Sequence, residues 1–266
     1  MTMQLLSPRN LNPINWIGLR THIGKEIQRF LKVGLQTLLA PTITTLLFLA
    51  IFSLALGRAV QSIGGIPFVQ FLAPGLIMMA VIQNAFANTV SSVMISKIQG
   101  NIVDMLMPPL SPSEFIIGFV LGGIVRGILV ALCVGIALWI FVPLKIYNIW
   151  VIIFYLVSSA SILSMVGLMT GIVAEKFDHQ ASISNFIITP LSFLSGTFYS
   201  IERLPEFWRD VVMFNPFFFM IDGFRFGFLG QSDATLILGI SLLLVINILL
   251  WIICLRMVAT GYKLKS

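Results

Sequence analysis

Residues 202–225, ERLPEFWRDVVMFNPFFFMIDGFR, interrupt an otherwise apolar chain, and their reading decides the fold. An apolar stretch from His179 to Ile201 gives way to Glu202, Arg203, Leu204, Pro205 and Glu206, then to Phe207 through Asp210. The apolar run that follows, Val211 to Ile221, is only eleven residues long, is broken at Asn215-Pro216 and is closed by Asp222-Gly223-Phe224-Arg225. A helix needs roughly 20 apolar residues to cross a bilayer. The run is therefore expected to dip into the membrane and come back out.

The rest of the chain supplies the membrane. Of its 266 residues 58% are apolar and 10% charged, which leaves too little polar surface for a soluble globule of this length. Cys133 and Cys254 both lie in apolar stretches, where free cysteine behaves as a small hydrophobe, so no disulfide framework or metal cluster is implied. The first 34 residues carry Arg9, Arg20, Lys25, Arg29 and Lys32 and no early apolar core, so a retained, cytoplasmic amino terminus is expected.

Long uncharged stretches predict an all-α membrane protein of six transmembrane helices, at about Val33–Leu56, Phe68–Met94, Phe115–Phe141, Ile149–Ala174, Ala181–Tyr199 and Ala234–Leu255. Six crossings put both termini on one side. With the amino terminus inside, the inner segments hold Arg9, Arg20, Lys25, Arg29, Lys32, Lys97, Lys176, Arg256, Lys263 and Lys265, against Arg58, Lys145, Arg203, Arg209 and Arg225 outside. That bias satisfies the positive-inside rule and places the re-entrant region, residues 200–230, on the outer face. The net charge of +6 thus reads as topology; the basic residues are dispersed, and no nucleic-acid surface is expected.

Ahead of the first span, Asn12-Pro13 has the form of a helix cap with proline at the first helical position. Trp16, Leu19, Ile23, Ile27 and Phe30 then recur at helical spacing with basic residues mostly on other faces, predicting an interfacial amphipathic helix over residues 12–32. It serves either as an anchor or as a contact for a cytoplasmic partner. Between the second and third spans, residues 97–109 form an inner loop in which Gly100 permits a sharp entry, Ile98, Ile102, Met105 and Leu106 make a short apolar edge, and Pro108-Pro109 stop any helix. Ser111-Pro112-Ser113-Glu114 fits a capping box and marks where the third span starts.

The stretch GNIVDMLMPPLSPSE (residues 100–114), followed by FLSGTFY (193–199), Leu204-Pro205, Asn215-Pro216 and Ile221-Asp222-Gly223-Phe224-Arg225, resembles the membrane subunit, or permease, of a type-2 ABC exporter. The resemblance covers essentially the whole chain as a single transmembrane domain, 1–266. Where many relatives place proline soon after the FLSG-type turn, this chain has Ser200 and Ile201 and delays it to Pro205. The resemblance implies a coupling helix in the 97–109 loop, with Gln99, Gly100, Asn101, Ile102, Asp104, Met105 and Leu106 seated on a cytoplasmic ABC ATPase subunit. It also implies an outer gate carrying Phe198, Tyr199, Phe214, Asn215, Pro216, Phe218, Asp222 and Arg225.

Further expectations follow from it: a location in the bacterial inner (cell) membrane, assembly as a homodimer or with a paralogous permease, and contact with membrane lipids. The substrate is expected to be lipophilic or amphiphilic, drug or lipid-like; a cell-envelope polysaccharide or glycolipid is the alternative. A phosphate-binding loop needs Gly, four residues, then Gly-Lys-Ser/Thr. Gly24-Lys25 is followed by Glu26, so this chain is expected to be no enzyme and to carry no cofactor, ATP and Mg being bound by the partner. An ATP-independent secondary transporter, from a different class, would favour inverted repeats and paired mid-membrane ionisable residues. Neither is apparent. No His-Glu-x-x-His motif points to a metal.

Several residues keep two readings. Arg126 lies inside a span, where a central arginine costs roughly 2.5–3.5 kcal/mol on insertion scales; it either lines the pathway and attracts an anionic headgroup or pairs with Gln83, Asn84 or Asn88. Gly118-x3-Gly122 and Gly123-x3-Gly127 suit close helix packing either between subunits or within one. The outer phenylalanines form either an interfacial belt or an apolar plug. Asp222 and Arg225, three apart, are placed to pair on one helical face.

Overall fold

The computed structural model describes residues 14–57 and 60–264. Helix α1 (Trp16–Leu31) leads into a π-helical turn (Leu35–Leu39) and α2 (Ala40–Leu56). A hairpin of two-residue strands, β1 (Ser62–Ile63) and β2 (Ile66–Pro67), turns through Gly64 and Gly65, both at positive φ (56° and 79°), the geometry such tight hairpins demand. Then come α3 (Phe68–Ile98), α4 (Ile102–Leu106), α5 (Pro112–Trp139) and α6 (Ile149–Val173). The chain continues through α7 (Phe177–Ile183), a second π turn (Ser184–Ile188), α8 (Thr189–Phe193), a short 3-10 turn, α9 (Glu206–Met213), α10 (Pro216–Leu229) and α11 (Leu236–Thr260).

Among the described residues five helices are long and apolar enough to cross a membrane: 35–56, α3, α5, α6 and α11; a sixth candidate is the pair α9–α10, bent by 88°. The expected fifth span at 181–199 is different in form. Its helix begins at Phe177 and ends at Phe193, and residues 194–200 leave it as a turn through Gly196 at φ +70°. The other helix limits fall within a few residues of those expected, apart from α11, which runs on to Thr260.

Helix α3 is the axle of the bundle. In its most apolar window 78% of residues are buried, against 11% for both 35–56 and α11, because α5, α6 and α10 pack around it while the other two lie at the periphery. Glycine sets those contacts. A Cβ on Gly118 would overlap the His22 ring, and one on Gly122 would stand 2.8 Å from Glu26 Cβ, so these two receive α1. A Cβ on Gly123 would strike Ser164 Oγ and one on Gly127 would come 3.3 Å from Ala160 Cβ, so these two receive α6. Both small-residue pairs therefore pack helices within one subunit.

Both π turns have the same local cause. Pro41 and Pro190 sit at the start of the α-helix that follows each turn, and a proline has no N–H to return to the carbonyl four residues back. The ladder slips there to wider bonds. In the first turn Thr37 Oγ1 donates to Phe30 O at 3.1 Å and Val33 O at 3.2 Å, tying the turn back to the end of α1.

The leading helix departs from the amphipathic expectation. Asn12-Pro13 lies outside the described residues, and the observed cap is Asn15, whose Oδ1 accepts from Gly18 N at 3.0 Å. Leu19 and Phe30 are buried within the protein together with His22 and Glu26, while Trp16 is 65% exposed. Glu114 explains the docking: one carboxylate oxygen accepts Ser111 N at 2.6 Å, closing the expected capping box on α5, and the other accepts Asn15 N at 2.5 Å, fixing the start of α1.

Candidate functional site

A cavity of about 600 Å³ opens between α1, α2, α3 and α5, all but α1 being membrane-length helices or parts of one. Its apolar lining includes Val33, Phe48, Met79 and Ile95, and its polar lining includes Arg29, Gln83, Asn84 and Arg126. Arg126 Nη2 donates to Asn84 Oδ1 at 2.9 Å, and the same amide donates to Ala80 O at 2.9 Å, which fixes its orientation. Arg126 thus pairs with Asn84 and also lines a cavity.

Arg29 stands beside it. Its Nη2 donates to Asn88 O at 2.7 Å, Asn88 Oδ1 at 2.9 Å and Glu26 Oε2 at 3.3 Å, while Glu26 Oε1 accepts from Ser92 Oγ at 2.8 Å. Glu26 and Asn88 are fully buried, so an isolated carboxylate there would be costly; the arginine and serine compensate it. Burial pushes the His22 imidazole below its usual value, and the nearby Glu26 carboxylate opposes that only in part. Glu26 is invisible to a helical pattern of apolar positions; its signal in the sequence is a carboxylate three residues before Arg29, on the face that also carries His22 and Leu19.

At one end of α3 the chain turns through Gly100 (φ +75°) into α4, and Asp104, Val103 and Met107 are exposed there. Lys97 and Ile98, expected in the loop, belong to the last turn of α3. Lys97 Nζ donates to Ile172 O at 2.7 Å and Ala174 O at 2.9 Å, occupying carbonyls at the end of α6 and tying the α4 turn to two bundle helices. Of the expected coupling residues, Gln99, Gly100, Asn101 and Asp104 are exposed and Ile102 is buried; Met105 and Leu106 share the α4 backbone.

At the opposite end, the expected gate residues fall into a fastening and a fringe. Asn215 caps α10 through Phe217 N at 3.0 Å, and its Nδ2 donates to Leu191 O at 3.0 Å and Ser195 Oγ at 3.2 Å. Asp222 and Arg225, expected to close the apolar run at its edge, lie buried inside α10. Arg225 donates to Gly196 O at 2.5 Å, stands 3.8 Å over the Phe71 ring and comes within 4.0 Å of Asp222. Asp222 accepts Asp233 N and Ala234 N, each at 3.0 Å, just before α11. Those bonds are why a charged pair survives at depth. Phe218 is buried, Pro216 starts α10, and Phe198 packs against Phe52 with ring centres 4.1 Å apart, next to Phe48 and Phe193. Tyr199 donates to Leu194 O at 2.8 Å, whereas Phe214 is 89% exposed, as are much of Phe207 and Trp208.

Residues 18–229 match the family model described as ABC-2 type transporter. The chain is 38% identical over 252 residues to the inner membrane transport permease YadH of Escherichia coli K12, covering 94% of this chain and 98% of that one. It is also 23% identical over 238 residues to nodulation protein J of Rhizobium leguminosarum bv. viciae, covering 86% and 88% respectively. With its apolar helices, interrupted α9–α10 pair and α4 turn already in place, the chain belongs to the ABC-2 type transporter family as a membrane-spanning permease.

Proposed function

We propose that this permease is the transmembrane half of an ATP-driven exporter that moves a lipophilic or amphiphilic compound, drug or lipid-like, out across the bacterial inner membrane. It works as a dimer with a separate ABC ATPase, and both termini face the cytoplasm. The observation that carries this reading is the cavity, which joins amides and guanidinium groups to Phe48, Met79 and other apolar side chains among membrane helices. A purely polar solute would leave the apolar wall unmatched, and a purely apolar one would strand the buried donors.

The α4 turn supplies the ATPase contact. Val103 and Met107 offer an exposed apolar edge there, and Lys97 links any displacement of it to α3 and α6. Nucleotide-driven closure of the ATPase pair would push on this turn, and the outer gate would yield where Phe198 packs against Phe52. Asn215 and Arg225 hold the 194–200 turn against α10, so gate opening requires that turn to move with α10 or to break those bonds.

A cell-envelope polysaccharide or glycolipid is the second reading. The Phe48, Phe52, Phe193 and Phe198 ring cluster favours it, since aromatic faces stack on sugars. Proteoliposomes containing the permease and its ATPase separate these readings. Transfer of a fluorescent amphiphile that requires ATP hydrolysis, and stops when the ATPase is inactivated, is expected; equal transfer without ATP would refute the exporter.

A further inference from the structure

We propose that Arg29 and Arg126 form a subsite for an acidic headgroup, a phosphate or carboxylate carried on an apolar tail, within the cavity between α1, α2, α3 and α5. The proposal rests on the exporter reading and names the chemistry of what that exporter takes up. Asn84 holds Arg126 and Asn88 holds Arg29. These asparagines are one turn apart on α3, a separation of about 6 Å along the axis at roughly 1.5 Å rise per residue. Two guanidinium groups are thereby presented from successive turns to one cavity.

Their donors are not used up. A guanidinium has five N–H groups in a fixed fork. Arg126 makes one hydrogen bond, through Nη2, and its Nε is buried without a partner, as is Arg29 Nε. Each unpaired buried donor costs about 1–3 kcal/mol, so an anion that accepts from these groups would be bound favourably. Charge points the same way. Glu26 answers Arg29 from behind, on the Ser92 side, whereas among the described residues no carboxylate lies within ion-pair distance of Arg126 and none lines the cavity. The cavity is cationic and wants an anion.

A tail has somewhere to go. The α3 lining runs from Ile95 to Met79, about 24 Å at the same rise; the arginines meet it in its middle stretch, at Asn88 and Asn84, with Phe48 and Met79 in the apolar part beyond Arg126. A lipid-like molecule with its acidic head at the two arginines would lay its chain along Met79 and Phe48. A free inorganic anion would use only the arginines.

The test uses the full permease with its ATPase in phosphatidylcholine nanodiscs, and measures binding of fluorescent phosphatidic acid against phosphatidylcholine of the same tails. The native protein should prefer the acidic lipid. Arg126→Gln should weaken the acidic lipid about tenfold, the loss expected for one charge-assisted contact, and leave the neutral one unchanged. Arg126→Lys, which keeps the charge but not the fork, should retain most of the preference. Absence of preference in the native protein, or equal weakening of both lipids by Arg126→Gln, overturns the proposal. If Arg126→Gln does not fold, the native selectivity and Arg126→Lys decide. Displacement of the acidic lipid by inorganic phosphate at equal concentration marks a free-anion site and overturns the tail assignment. Preference without ATP-dependent transfer of any lipid sinks the exporter reading and leaves the subsite standing.

Discussion

Replacing Gly118 by alanine tests whether the small residues of α5 seat α1. The added methyl would overlap the His22 ring, and that ring has little freedom to retreat: it is 7% exposed, stacked on Phe115 at 5.6 Å, edge-on to Phe119 at 4.7 Å, and its Nε2 lies 3.3 Å from Phe115 O. Overpacking costs about 1–3 kcal/mol, and displacing the ring forfeits a hydrogen bond and aromatic contacts of roughly 1 kcal/mol each. Alanine returns about 1 kcal/mol of helix propensity, leaving a net loss of about 2–4 kcal/mol. Thermal or denaturant unfolding of the purified permease measures it. The discriminating experiment adds His22→Ala: removing the ring makes room, so the double variant should recover at least about 1 kcal/mol of coupling. If Gly118→Ala weakens dimerisation while monomer stability holds, or if His22→Ala gives no recovery, the packing of α1 on this glycine is wrong.

His22 also predicts a pH effect. Burial holds its folded pKa below the ordinary 6.5, so the unfolded chain binds more protons in that range. Stability should therefore fall as pH drops below about 6.5, and His22→Gln should flatten that slope in unfolding curves recorded across pH. Asn215→Ala removes the α10 cap and both bonds to the 191–195 segment, and should cost about 2 kcal/mol in the same assay; Asn215→Asp keeps the cap acceptor but loses the donors and should not rescue. Lys97→Met frees Ile172 O and Ala174 O and should leave ATPase binding intact while lowering transport per ATP hydrolysed in proteoliposomes; unchanged stoichiometry would remove α6 from the coupling route.

Legibility in the sequence followed the range of the force involved. The long helices were readable because each needs only its own run of apolar residues, and the α5 start because Ser111 and Glu114 act across three positions. The destination of Glu26 is not, because its partner Ser92 comes from another helix, sixty-six residues away in sequence. Asp222 and Arg225 looked like a boundary for the same reason. Charge ordinarily ends an apolar run, and nothing local announces that Gly196 O, Asp233 N and Ala234 N will meet them. The glycines gave the spacing of a packing face without saying whose face it met. The end of the fifth helical segment was misjudged because FLSGTFY is apolar enough to continue a span, while the turn is made by Gly196 backbone geometry and held by residues from α10.

The two π turns bear on how the cavity changes shape. Each precedes a proline, in the helix formed by residues 35–56 and in the one formed by 177–193; Gln36, Thr37, Ala40 and Pro41 of the first line the cavity, and Gln180 of the second reaches its edge. The opposite wall is α3, buried and braced by α5, α6 and α10. A cavity with one fixed wall, one wall whose ladder is already slipped and an edge contributed by a second slipped helix deforms at the slips, because breaking a well-formed α-helix elsewhere costs more. Amide hydrogen exchange on the reconstituted permease should accordingly find residues 35–39 and 184–188 opening well before the centre of α3, with nucleotide-bound ATPase changing their rates most. Pro190→Ala restores the missing donor, so it should raise protection at 184–188 and slow transport while leaving nucleotide binding alone. Uniform exchange along 177–193 in the native protein, or transport unaffected by Pro190→Ala despite the gain in protection, would show that the slipped ladder is a packing accommodation and that the cavity moves by rigid displacement of whole helices.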